Sequence, residues 1–320
     1  MLYPIPVPKA NGGGSLVGFI DANGRVVVQP SYTFGSFFFE GKAAVIDKDG
    51  KSGFIDHAGN LVIPCRFQGI SDFKDGLCSI SCGFIDHSGE WFIEPHFLIA
   101  SHFSEGRAFA SMDGETFGFI DLRGKFVIPP QFQQCGDFSD GLAAVCSDER
   151  WGFVDHNGEI RIPFVFEKSR ARTRTYRSGV AGVQIDGRCG FINHSGNFVV
   201  RPEYEDLKSF SEGYAPVRQN GKWGMINPHG GLVVDCRFDE LGELNGGLAF
   251  AKVDGKAGFV SPTGSWVIQP EFDRCYSFFG ALAIARKAGG FYCYLRRSGE
   301  VVWTSEVGAQ LQVPYVVRSG

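Results

Sequence analysis

The chain has 320 residues, 43% of them hydrophobic and 21% charged, so it can bury a sizeable core. A net charge of −4 argues against a chain that coats nucleic acid. No apolar run approaches the roughly 18 residues of a membrane helix, and Met1–Pro8 has neither the basic nor the apolar region of a secretory leader.

Phe is over-used, with 31 copies, and Gly has 44, against three Met. That balance predicts short strands and many turns, and no stretch shows a helical period of apolar residues. The nine Cys are odd in number, dispersed and without a CxxC pair. In a chain this large they read as thiols of a reducing, cytoplasmic setting.

Along the chain, Asn11-Gly12-Gly13-Gly14 opens no helix and offers no phosphate cradle, so it reads as a flexible lead-in. An anchor of the form Gly-Phe-Ile-Asp-x-x-Gly then begins at Gly18 and recurs at Gly53, Gly83, Gly118, Gly152, Gly190, Gly224 and Gly258, with a worn copy from Cys293. Successive anchors are 35, 30, 35, 34, 38, 34, 34 and 35 residues apart. A fixed period of this size marks a tandem array.

Each anchor leads into an apolar run that usually ends in a Pro-containing corner and an aromatic, as in Val127-Ile128-Pro129-Pro130-Gln131-Phe132. In most copies a second aromatic follows six residues later (Phe38, Phe73, Phe103, Phe138, Phe210, Phe278), then an acidic residue and Gly, then an Ala-x-Val-like run. Asp or Asn at the first turn position can accept a backbone hydrogen bond, and the Gly accepts a positive φ, so anchor and apolar run form a hairpin. The Ala-x-Val run forms a second hairpin with the next anchor. The predicted unit is a three-stranded meander with room for a short fourth strand near the second aromatic. Stacked neighbours bury the faces that one meander leaves open, and the anchor rings Phe19, Phe54, Phe84, Phe119, Phe153, Phe191 and Phe259 should fill the gaps.

Two copies break the rhythm. Before Gly83 five residues are missing, so the turn flanked by Cys78 and Cys82 must be tight or absent; these two thiols read as buried small hydrophobes. Before Gly190 four residues are inserted between Phe166 and Tyr176. The insertion carries Lys168, Arg170, Arg172, Arg174 and Arg177, a basic run in a net acidic protein. On an extended strand Arg170, Arg172 and Arg174 share one face, which suits carboxylate or phosphate groups.

The units resemble WG (KWG) repeats, whose consensus runs roughly lysine-tryptophan-glycine-phenylalanine-isoleucine-aspartate, then glycine, then valine-isoleucine-proline-proline and an aromatic. Lys222-Trp223-Gly224 keeps the full tripeptide and Trp151-Gly152 two thirds of it. Elsewhere the Trp position holds Val17, Ser52, Cys82, Phe117, Cys189, Ala257 or Tyr292, which puts any role of that ring in doubt but not the fold. The resemblance spans about Val17 to Val302 and implies an all-β array with a binding role rather than chemistry.

The expected fold is therefore all-β: one domain over residues 1–320, a closed or nearly closed β-propeller-like array of eight or nine units, with an open β-solenoid as the alternative. The first copy shows no clean strand before its anchor, and Gln310–Val317 is a candidate to supply one.

Four His follow the turn Asp or Asn (His57, His87, His156, His194), and His229 sits one place later. Equivalent atoms of neighbouring units should lie on the order of 10 Å apart, too far to share one metal, so these His read as exposed turn residues. The acidic corners (Glu40, Asp75, Glu105, Asp140, Glu212) come from different units and read as solvated turns. GxSxG, P-loop and dinucleotide-binding motifs are missing. The expectation is a non-catalytic scaffold without cofactor or metal that binds a protein partner of acidic character through Lys168–Arg177; a small-ligand or glycan binder is the alternative.

Overall fold

The computed structural model describes residues 1–9, 14–69, 71–167 and 175–306. Among the described residues there are 34 strands and no helix. The strands form nine small antiparallel sheets, each of three or four strands consecutive in sequence. Every anchor lies in a central strand. In the fifth sheet, for example, Arg150–Asp155 runs between Leu142–Ser147 and Ile160–Phe166.

The anchor strand is buried and the strand after it bends over the anchor glycine. In the fifth sheet Phe153 pairs with Ile162, but Trp151, only two residues away, pairs with Phe166. The extra residues form the Pro-containing corner, a bulge that folds the strand across Gly152. A Cβ added there would lie 2.6 Å from the Ile162 carbonyl oxygen, and at Gly118 it would lie 2.3 Å from that of Ile128. Only glycine allows this approach. The ninth copy has Cys293 in place of the anchor glycine, and its last strand, Val301–Thr304, makes no such corner.

The turn chemistry follows the expectation. Asp56 Oδ1 accepts the N–H of Ala58 (2.9 Å) and of Asn60 (2.8 Å), and Gly59 has φ of +87°. Asp21, Asp86, Asp121, Asp155, Asn193 and Asn227 make the same pair of bonds. The shortened hairpin before Gly83 is indeed tight: Ile80 pairs with Gly83, and the two turn residues Ser81 and Cys82 both have positive φ.

The chain divides into two compact units. One comprises Met1–Pro95, Lys256–Gly258 and the described chain from Val267; the other comprises His96–Gly255 and Phe259–Trp266. In each unit successive sheets bury aromatic rings between them. The anchor ring of one sheet meets the second aromatic of the next edge to face: Phe54 with Phe73 (4.9 Å), Phe119 with Phe138 (4.8 Å), Phe153 with Tyr176 (5.2 Å), Phe191 with Phe210 (4.8 Å). All seven anchor Phe named above are buried. This repeated ring pair accounts for the Phe content.

In the first unit the first and ninth sheets meet. Tyr3 and Tyr294 pack edge to face at 5.6 Å, and the Tyr294 hydroxyl donates to the Pro4 carbonyl (2.7 Å). Ala281 N–H donates to the Tyr3 hydroxyl (2.9 Å), and Arg296 reaches the Ala22 carbonyl (3.2 Å) and Asn23 Oδ1 (2.9 Å). Contact between the two ends is what a propeller-type array requires and an open solenoid lacks.

One expectation is corrected here. The strand before the first anchor is Tyr3–Pro8, paired in register with Ser15–Ile20. Pro4, Pro6 and Pro8 alternate, so their missing N–H groups all fall on one edge and the ladder to the anchor strand keeps its donors. Residues 310–317 lie outside the described residues.

Candidate functional site

The repeated polar residues are mostly occupied in joining one sheet to the next. Glu40 Oε2 accepts the N–H of Gly76, Glu105 Oε2 that of Gly141, and Asp140 Oδ2 that of Gly179, at 3.0–3.1 Å. Glu212 takes both Gly246 and Gly247 (2.6 and 2.9 Å). These corners are therefore not merely solvated turns. Each carboxylate caps the corresponding corner of the following sheet with a charge-assisted bond.

The His stand on the turn as expected, with His57, His87 and His194 exposed, and they also make a ring contact. Their rings stack on the second aromatic of their own sheet: His57 on Phe38 (4.3 Å), His87 on Phe73 (4.5 Å), His156 on Phe138 (4.2 Å), His194 on Tyr176 (4.4 Å). Arg297 takes the same place over Phe278 (4.7 Å). Nε2 of His87 and of His156 lies 3.4 and 3.5 Å from the corner carboxylates of Glu40 and Glu105. His194 Nε2 lies 2.8 Å from the Asp140 carbonyl. A planar ring that is apolar on its face and polar at its edge suits this place between an aromatic and a carboxylate. Burial pushes the His57 imidazole below its ordinary value, so stacking there favours the neutral ring.

The basic residue that opens the signature tripeptide has a similar task. Lys222 pairs with Asp239, Lys256 with Asp273 (2.7 Å) and Arg150 with Glu167 (3.9 Å). Asp239 also accepts the N–H of Asp254, Glu205 that of Gly221, and Glu167 those of Asp186 and Gly187. The acidic residue after the first aromatic thus ties one hairpin to the next. Trp223 and Trp151 are buried core rings. Lys208 Nζ sits 4.9 Å from the centre of Trp223 and donates to the Leu241 carbonyl (2.7 Å). Burial lowers the Lys208 ammonium below its ordinary value, while Glu243, Glu240 and Asp206 hold it up.

Against this frame stands the basic insertion. Lys168, Arg170, Arg172 and Arg174 lie outside the described residues. Both flanks of the segment are described and both are fixed. On one side Phe166 is buried and Glu167 holds the 185–188 hairpin. On the other, Tyr176 is fully buried, its hydroxyl donates to the Asn193 carbonyl (2.9 Å), and its own carbonyl accepts from Ser139 (2.7 Å). Arg177 is the one predicted contact residue that is described. Its Nη1 lies 3.7 Å from Glu243 Oε2, and each of the two side chains is only 22% exposed. Glu243 also accepts the N–H of Ser209 (3.0 Å).

All nine Cys are free thiols, five of them buried. Burial pushes the Cys293 thiol up to about 11 and raises Cys78, Cys135 and Cys275 further. Among the described residues no cluster of three His, Cys, Asp or Glu is placed to hold a metal ion. A half-buried pair, His102 Nε2 and Asp137 Oδ2 at 2.9 Å, joins the fourth and fifth sheets; nothing in the local sequence signals that pairing.

Comparison with known proteins agrees with this architecture. No curated protein matches the chain significantly. A eukaryotic initiation factor structure superposes with a TM-score of 0.63 at 9% identity, covering 97% of each chain, which supports the fold alone. The computationally designed Ika8 protein (TM-score 0.47, 12% identity, 86% of each chain) and apo AztD from Citrobacter koseri (0.46, 12%, 97% of this chain and 95% of that one) are more distant. The WG containing repeat model matches residues 18–51, 53–81, 83–115, 117–151, 151–189, 190–223, 223–256 and 258–291, which leaves only the worn ninth copy outside it. The chain belongs to the WG containing repeat family.

Proposed function

We propose that this protein is a non-catalytic, cytoplasmic scaffold that binds a protein partner, and that Lys168, Arg170, Arg172 and Arg174 supply a contact for acidic groups on it. The observation that carries the reading is the contrast between the regular copies and the inserted one. Charged residues that recur with the period are engaged in sheet-to-sheet bonds, as at Glu40, Glu105, Glu212 and Lys222. The basic run belongs to no repeat position and leaves from two fixed posts, Glu167 and Tyr176. A segment that departs from a rigid scaffold is where recognition tends to reside. Guanidinium groups suit paired carboxylates there. The nine free thiols favour a reducing compartment.

The test uses a fluorescent poly-glutamate peptide and the variant Arg170→Ala, Arg172→Ala, Arg174→Ala. The substitutions leave the anchors, the aromatic positions and the acidic corners untouched, so folding should be retained. The peptide should bind the wild type in a salt-sensitive manner, and the variant should lose that salt-sensitive part. Equal affinity and equal salt dependence in both proteins would remove the basic segment from the reading.

A further inference from the structure

The fourth sheet departs from the other copies in a second way. The residue after the first aromatic is polar in the seven other copies that carry this feature, among them Gln133, Glu205 and Asp239. In the fourth sheet it is Leu98, which is 58% exposed. The hairpin beside it carries Met112, 55% exposed, where other copies have short polar or glycine turns such as Asn220-Gly221 and Asp254-Gly255.

The local geometry explains why the polar residue is dispensable. In four other copies the side chain at this position caps the next hairpin: Gln133 at Glu149, Glu167 at Asp186 and Gly187, Glu205 at Gly221 and Asp239 at Asp254. The hairpin at 111–116 caps itself. Asp113 Oδ1 accepts the N–H groups of Glu115 and Thr116 at 2.8 Å, Asp113 Oδ2 accepts the Thr116 hydroxyl, and Ser111 Oγ accepts the N–H of Gly114. Position 98 is thereby relieved of its capping task. Leu98 donates its N–H to the Ser111 carbonyl (2.9 Å) while Ile99 is the register partner of Ser111, so two residues oppose one. The same bulge recurs at Gln133, Glu205 and Asp239, so Leu98 takes the place of their polar side chains on an unchanged backbone. Leu98 Cδ2 lies 3.0 Å from where a Gly114 Cβ would be, directly over the loop. Ile99, 39% exposed, adds to the apolar surface.

Within this stretch of chain the charge is one-sided. Five other copies begin the following strand with a basic residue (Lys51, Arg150, Arg188, Lys222, Lys256); here it is Thr116. Between Phe97 and Phe117 the only Lys or Arg is Arg107, at the far end of the Ala108–Ser111 strand. Asp113 and Glu115 stand beside the patch. The N–H of Thr116, then that of Glu115, hold the Asp113 carboxyl well below its ordinary value, so it stays ionised throughout the neutral range.

We propose that Leu98, Ile99 and Met112 form a docking patch for a segment of a partner protein that presents an apolar anchor flanked by Lys or Arg. This rests on the reading of the array as a protein-binding scaffold, and names a second contact of opposite chemistry to the basic segment. The apolar residues supply the contact area, Met112 adapts to the shape of the anchor, and Asp113 and Glu115 select basic flanks.

The experiment is a displayed peptide selection on the wild-type protein, counter-selected on Leu98→Gln/Met112→Ser, which restores the chemistry of other copies. Enriched peptides are then titrated against both proteins by fluorescence anisotropy. Enrichment of apolar anchors with basic flanks is expected, with binding weakened at least about tenfold in the variant and reduced in Glu115→Lys. Thermal melts check folding, and Met112→Ser alone serves if the double variant is impaired. Acidic or purely polar consensus peptides would overturn the proposal, as would equal binding to both proteins. Sedimentation showing patch-dependent self-association would overturn it too, by giving the patch to a second copy. The basic segment is intact in these variants, so its poly-glutamate binding reports separately on the broader reading.

Discussion

Replacing Phe119 with Ala tests the packing rule on which the whole array depends. The ring is fully buried in the central strand of the fourth sheet, paired with Phe109 on one side and Ile128 on the other. Across the gap it meets Phe138 of the fifth sheet, centroids 4.8 Å apart and planes at 63°. Ile128, Phe132, Ala143, Val145 and Val154 complete the cluster. A side chain this enclosed cannot be replaced by water without leaving a cavity, so the substitution should cost about 3–5 kcal/mol. Roughly 0.5–1.5 kcal/mol of that belongs to the ring pair itself, and a double-mutant cycle with Phe119→Leu and Phe138→Leu isolates it. Urea denaturation followed by tryptophan fluorescence reads the loss. Because repeat arrays can lose cooperativity, slope and midpoint are both needed. Phe92→Ala is the control, since that ring is 53% exposed, and it should cost under about 0.5 kcal/mol. A loss below about 1 kcal/mol at Phe119 with an unchanged slope would refute the assignment of the anchor ring to the space between sheets.

Glu212→Ala removes the carboxylate that accepts both Gly246 and Gly247; the freed N–H groups can turn to water, so the cost should be about 1 kcal/mol, and no change in the denaturation midpoint would mean that these bonds do not persist in solution. Stability should also fall with acid. The carboxyls of Asp21 (held by the N–H of Arg25), Asp56 (by the side chain of Asn60) and Asp86 (by the hydroxyl of Ser88) all sit below their ordinary value. Their contribution is complete above the unfolded-state value of about 4 and is lost as pH falls from there through the lowered folded values. Replacing all three with Asn, which already serves this turn at Asn193 and Asn227, should leave neutral stability nearly intact and flatten the loss between pH 5 and pH 3. An acid limb identical to that of the wild type would contradict it.

What could be read from the sequence was local and periodic. Gly-Phe-Ile-Asp-x-x-Gly specifies a buried strand, a side-chain-capped turn and a glycine with positive φ within seven residues, and all three occur where the spacing put them. What could not be read was the chemistry between copies. Glu105 and Gly141 are 36 residues apart, and nothing in either segment says that the carboxylate of one caps the backbone of the other. The His rings were placed on the right turn, but their stacking on Phe73 or Phe138 depends on how the short strands curve. Tyr3–Pro8 was missed because alternating proline is a poor strand signal unless the strand is known to have only one paired edge. Leu98 was legible in principle. Aligned with Gln133, Glu205 and Asp239, it is the apolar residue in a polar column.

That last case bears on how function can be located in an array of this kind. A single-copy protein gives no internal reference, so an exposed Leu or a run of Arg is ordinary surface. Here each position is repeated in chemically equivalent surroundings, and the copies act as controls for one another. A residue that recurs with the period and bonds to the neighbouring sheet, such as Glu212 or Lys222, is explained by assembly. A departure that is offset locally is different, because it has to be accommodated. The fourth sheet replaces the capping side chain by Leu98 and supplies the cap from Asp113. The sixth repeat takes up four extra residues and anchors their exit with the Tyr176 hydroxyl. The replacement at Leu98 presents apolar surface that the regular copies lack. At the fourth sheet the hairpin is held by Asp113, so Leu98 is left to be explained by what it touches outside the array.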